Sequence, residues 1–142
     1  MPARKTAAAE VAANLPVLAG EDPWTVEEIA QVRAELVADR DRLRASIAQN
    51  EAELAELMNE GSDGAGRDPA DVGSSNFERD QEVSLHNNQL AMLDQIEQAL
   101  RMLDDGTYGV CENCGEPIGK LRLEVFPRAT MCVSCKQRQE RR

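Results

Sequence analysis

The sequence is short of aromatic side chains: one Trp, one Tyr and two Phe amount to 3 % of 142 residues. With only nine Gly and six Pro beside them, the flat side chains and dense turn chemistry of a many-stranded sandwich are missing, which disfavours an all-β domain. Long apolar runs are missing as well. No stretch approaches the roughly 20 residues that cross a bilayer. No segment joins a charged start, an apolar middle and a small-residue cleavage site, so the chain is expected in the cytoplasm, where thiols stay reduced. Positive charge is scarce: 16 Lys and Arg face 26 Asp and Glu, a net charge of -10. That balance disfavours unaided binding to DNA phosphates or anionic lipid. The parts of an active site are scarce too. There is one histidine, His86, no Gly-rich phosphate loop after a strand, and no nucleophile legible beside a base, so an enzyme is not expected.

What is present is helix. Ala, Leu, Glu and Arg are abundant and have high helix propensity, and 142 residues suit one folding unit rather than several separate cores. Residues 1–24 mix alanines with Pro2, Pro16 and Gly20 without a sustained period; they are expected to be partly mobile, with docking through Leu15, Val17 and Leu18. Thr25 followed by Glu28 announces a helix start by a capping box, with Trp24 placed to pack on Ile29. From there Val26, Ile29, Leu36, Leu43, Ile47, Leu54 and Leu57 recur at steps compatible with a coiled-coil seam, and Arg33, Arg40 and Asn50 fill its remaining positions. Ser75 with Glu78 reads as a second capping box, opening a helix that carries Val83, His86, Leu90, Leu93, Ile96, Leu100 and Leu103 and stops at Gly106. His86, on that seam, is read as a packed or half-exposed side chain rather than a ligand. The spacing Leu93, Ile96, Leu100 breaks strict heptad phase. Two successive helices with a short connection run antiparallel. Residues 25–105 are therefore expected to form a long coiled-coil hairpin with its tip at 61–74, where "GSDGAGRDPADVGSS" supplies turn chemistry.

Charge changes sign along the chain. Residues 25–105 hold seven Lys and Arg against nineteen Asp and Glu, whereas residues 106–142 hold seven against four. The change falls where the cysteines begin. Cys111, Cys114, Cys132 and Cys135 form C-x2-C-x17-C-x2-C, the spacing of four-cysteine zinc sites. A tetrahedral ion takes a pair of thiolates from each C-x2-C turn, and Gly115 lets the first turn close. A redox couple is disfavoured because no βαβ pattern surrounds either pair, and stable disulfides are disfavoured by the compartment. A segment of 37 residues with few large apolar side chains needs such a metal to fold. Four protein ligands leave no open position, so the zinc is expected to be structural. Lys120, Arg122, Arg128 and Lys136 are available to offset the negative charge of the thiolate centre.

The stretch "YGVCENCGEPIGKLRLEVFPRATMCVSCK" (108–136), the helical hairpin before it and "DPAD" (68–71) together resemble the DksA/TraR family, bacterial transcription regulators with a C4 zinc finger. The resemblance covers about residues 25–138. It implies a mainly α fold, direct binding to RNA polymerase as a monomer, no sequence-specific DNA contact and no membrane. It further implies that the hairpin tip enters the polymerase's secondary channel, with Asp68 and Asp71 matching the family's pair of tip acids. Gly73 departs from the family, whose well-studied members carry Ala there. Basic residues that help hold the alarmone ppGpp in the best-known member align with Lys136, Gln95 and Phe126, so one cation of three is kept. Weak or absent ppGpp synergy is expected. Arg122 and Lys136 are the candidates for a nucleotide or polymerase contact. The rival expectation is a zinc-finger adaptor, binding another protein through its hairpin or responding to redox state, with no action on polymerase.

Overall fold

The computed structural model describes residues 2–62 and 69–141. Five helices follow one another: α1 (Pro2–Asn14), α2 (Val26–Ser62), α3 (Pro69–Asp105), α4 (Lys120–Val125) and α5 (Val133–Glu140). Among the described residues, β pairing is confined to an isolated antiparallel bridge between Val110 and Pro117. The expected mainly α class is the class observed. The chain forms two compact units, one of Met1–Asp39 with Gln95–Arg142 and one of Arg40–Asp94.

The helix ends follow from local chemistry. At the start of α2 the Thr25 N–H donates to Glu28 Oε1 at 3.0 Å, and the Glu28 N–H donates to Thr25 Oγ1 at 3.2 Å. Each side chain thereby satisfies an orphan amide of the other residue. At the end of α3, Gly106 takes φ 76°, and the Thr107 N–H reaches the Met102 carbonyl at 2.9 Å. That is the six-to-one closure which the left-handed glycine makes possible. The start of α3 differs from expectation. The helix begins at Pro69, so Ser75 lies inside it rather than at its cap. Proline suits the first helical position because its missing N–H would have no partner there and its φ is already helical.

The first unit holds most of the buried apolar side chains. Val32 and Leu36 of α2, Ile96, Ala99, Leu100 and Leu103 of α3, and Tyr108, Ile118 and Leu123 beyond them are all buried, together with Trp24. Residues 1–24 add a helix that periodicity did not announce. Ala12 and Leu15 are buried, whereas Val17 is half-buried and Leu18 exposed. On α2, Val32 and not Arg33 takes the inward position. A helix packed on more than one neighbour buries a wider arc than the narrow stripe of a two-helix seam. Arg33 instead bridges to Asp104 at 2.8 Å at the surface.

In the second unit α2 and α3 meet through a partly polar seam. Gln89 of α3 bonds to Ser46 and Asn50 of α2, and His86 Nε2 lies 3.8 Å from Glu51 Oε1. Rising numbers on one helix meet falling numbers on the other, so the pair is antiparallel. Among the described residues of this unit, Ile47 is the buried apolar side chain, with Leu43, Leu54 and Leu57 half-buried.

Candidate metal centre

The first cysteine pair sits on a knuckle built by backbone hydrogen bonds. The Ile118 N–H donates to the Gly109 carbonyl and the Cys111 N–H to the Glu116 carbonyl, each at 2.8 Å; the Gly115 N–H returns to the Cys111 carbonyl at 3.0 Å. Gly115 adopts φ 79° to make that return, a conformation other side chains resist. The second pair opens α5. Cys132 is its N-cap, in extended conformation, and Cys135 lies in the first turn and is buried. One further bond, from the Glu112 N–H to the Thr130 carbonyl at 2.9 Å, ties the two halves together.

All four Sγ atoms lie within 4.8 Å of one another, and Cys114 and Cys132 are 3.8 Å apart. Four sulfurs about 2.3 Å from a tetrahedral zinc would be separated by roughly 3.8 Å, so the donor set fits the ion. All four thiols are free, and 3.8 Å is far longer than the roughly 2.05 Å of a sulfur–sulfur bond. Their electrostatics point the same way. Burial pushes the Cys111 thiol up, but the N–H groups of Cys114, Cys132 and Asn113 outweigh it and bring it down to about 6. The Asn113 amide, 3.3 Å from the Cys135 sulfur, holds Cys135 below the usual thiol value. At Cys114 the Glu116 N–H pulls downward, yet desolvation and the three neighbouring sulfurs win and push the thiol up to about 12. The cluster is therefore set to ionise in part, and a divalent cation supplies what is needed to ionise the rest.

The surroundings correct one expectation. Lys120 does not serve the thiolates: its ammonium lies 2.8 Å from Glu28, 3.3 Å from the Pro23 carbonyl and 5.6 Å from the centre of the Trp24 ring. That contact holds the Glu28 carboxyl down at about 2. Arg138, absent from the sequence-predicted partners, reaches the Cys135 sulfur at 3.4 Å. Its position three residues after Cys135, on the same face of α5, was the available signal.

Trp24 and Tyr108 are both buried with ring centres 6.1 Å apart, and the Tyr108 hydroxyl donates to the Pro127 carbonyl at 2.7 Å. Burial, reinforced by the nearby Glu35 charge, pushes the Tyr108 hydroxyl above its usual value. Glu21 lies across the first amides of α4. Its Oε1 accepts from Lys120 at 2.9 Å and from Leu18 at 2.7 Å, and its Oε2 accepts from Leu121 at 3.0 Å. Desolvation pushes this carboxyl up, but the N–H groups of Leu121, Lys120 and Leu18 outweigh it and hold it low.

Arg122 and Lys136 are brought together, as linings of one cavity of about 610 Å³ that also includes Arg128. Gln95 and Phe126 line the same cavity, as do the carboxylates Glu112 and Glu140. Asp68 lies outside the described residues; Asp71 lies on the first turns of α3.

Paired helices and a four-cysteine knuckle define a mainly helical protein with a C4 metal finger. The prokaryotic dksA/traR C4-type zinc finger family matches residues 106–141. The RNA polymerase-binding transcription factor DksA of Caulobacter vibrioides is 48 % identical over 75 residues, 53 % of each chain. The match thus spans about half the length of that relative. The DksA of Escherichia coli K12 is 29 % identical over 117 residues, 82 % of this chain and 74 % of the other. The solved structure of transcription factor DksA2 from Pseudomonas aeruginosa matches with a TM-score of 0.64 at 35 % identity, covering 81 % of this chain and 84 % of that one. The chain belongs to the DksA/TraR family. Its metal is a structural zinc ion, because four protein thiols complete the tetrahedron and leave no place for an activated water. Among the described residues no helix is long and apolar enough to cross a membrane.

Proposed function

We propose that this chain is a non-enzymatic regulator that binds RNA polymerase and modulates initiation, with Asp68 and Asp71 acting in the secondary channel. Cys111, Cys114, Cys132 and Cys135 are the zinc ligands that brace the first unit, and α2 and α3 carry the connecting segment. The observation that supports this most is the match of helices and finger together, at 35 % identity, to a solved transcription factor of the same family. Carboxylates delivered near a catalytic Mg2+ alter the local field and the mobility of the elements around it. The two Asp side chains are therefore the acting groups, and their supports are not. Of the cavity's cations, Lys136 alone keeps a basic position attributed to ppGpp binding, and Glu112 and Glu140 line the cavity beside it. The nucleotide accordingly adds little to the protein's effect.

In vitro transcription with purified polymerase tests the reading. Asp68→Asn with Asp71→Asn should leave polymerase binding intact while abolishing the effect on initiation. Wild-type protein that neither binds polymerase nor changes initiation at any of several promoters would leave the adaptor reading in its place.

A further inference from the structure

Apolar packing has a weak hold on the register of the second unit. Ile47 is its buried apolar side chain among the described residues, while Leu43, Leu54 and Leu57 are half-buried and Leu90 is 42 % exposed. Contacts of this kind are nearly as good after α3 slides one turn along α2, because one aliphatic side chain takes the place of another along the seam. Hydrogen bonds do not tolerate such a slide, since their partners must coincide in position and in kind.

Gln89 of α3 is held by α2 at both ends of its amide. Its Nε2 donates to Ser46 Oγ at 2.8 Å, and its Oε1 accepts from Asn50 Nδ2. Ser46 and Asn50 stand four residues apart, one turn of α2, so a single planar amide spans both. All three groups are partly buried, where an amide without partners is disfavoured. One turn in one direction carries Gln89 between Arg42 and Ser46, and one turn in the other carries it between Asn50 and Leu54; either move takes away one of its two partners. We infer that Gln89, together with Ser46 and Asn50, is the positioning group that fixes how α2 pairs with α3 within the second unit. It thereby sets where the start of α3, which carries Asp71, stands against the end of α2. The register stands on its own geometry, while its consequence for transcription rests on the function proposed above. A polar group inside an apolar seam specifies one arrangement at some cost in stability.

The test uses the full-length, zinc-loaded chain with ketone-bearing residues at the exposed positions 53 and 87, so that spin labels avoid the cysteines. The unsubstituted chain should give one inter-label distance. Gln89→Leu should add a second, displaced by about 5 Å along the helix axis, with a thermal midpoint equal or higher because leucine suits the seam. Its potency in transcription should fall in proportion to the fraction left in the competent register, about fivefold to tenfold, with polymerase binding retained. Ser46→Ala with Asn50→Leu should reproduce the second distance from the other helix, and Ser46→Thr, which keeps the hydroxyl, should not. One unchanged distance in both Gln89→Leu and the Ser46→Ala/Asn50→Leu variant overturns the inference. Should the unsubstituted protein have no effect on transcription, the proposed function fails, and the distances still decide the register.

Discussion

Zinc removal should undo the first unit, and the protein carries its own reporter of that event. Trp24 is the single tryptophan and is 2 % exposed. Its surroundings come largely from the finger: the Tyr108 ring stands 6.1 Å away and the Lys120 ammonium 5.6 Å from its centre. A structural zinc contributes on the order of 10 kcal/mol or more to folding at neutral pH, while a whole domain is stable by about 5 to 15 kcal/mol. Losing the ion therefore removes a contribution as large as the net stability itself. The assay adds a mercurial that releases zinc from thiolates together with a metal-sensitive dye, and follows Trp24 emission in parallel. One equivalent of zinc should appear, and the emission should move to longer wavelength over the same range as water reaches the indole. Removing the mercurial with excess thiol and returning zinc should restore it. Release of the full equivalent with unchanged emission and an unchanged thermal midpoint would refute the claim that the ion organises this unit.

Three further outcomes follow from the same contacts. Leu123 is fully buried, so Leu123→Ala should destabilise the first unit by about 2 to 5 kcal/mol, measurable by denaturant titration of the zinc-loaded protein with Trp24 as probe. Arg138→Gln removes the guanidinium contact to the Cys135 sulfur and should speed zinc release to a chelator without changing the one-to-one stoichiometry. The Glu28 carboxyl is held at about 2 against an ordinary 4.5 by the Lys120 ammonium. Because its folded value is depressed, the stabilisation is complete above about 4.5 and fades as pH falls towards 2. The stability difference between wild type and Glu28→Gln should therefore be largest near neutrality and shrink through that window.

How much of this was legible beforehand depended on whether the governing interaction was local in sequence. Four cysteines at C-x2-C spacing announce their ion because each pair must share one turn of backbone. Thr25 with Glu28 announces a cap because the two groups are three residues apart. α1 gave no such signal, since an alanine-rich stretch helical by propensity owes its place to what Ala12 and Leu15 meet elsewhere in the chain. Helix termini were legible only where one candidate existed. Ser75 with Glu78 has the spacing of a cap, yet α3 starts six residues earlier, at Pro69, whose ring suits a first helical position. Charge partners were misread for a related reason. Proximity in sequence to the cysteines suggested Lys120, but Glu28, 92 residues away, presents a carboxylate to it at 2.8 Å. The polar seam is the sharpest case. Asn50 was visible as a polar residue at a seam position, yet nothing local marks Gln89 as its partner. A seam in which leucines exchange freely cannot reveal its register through hydrophobic periodicity, so the information lies in the three polar side chains that would lose their partners if it slipped.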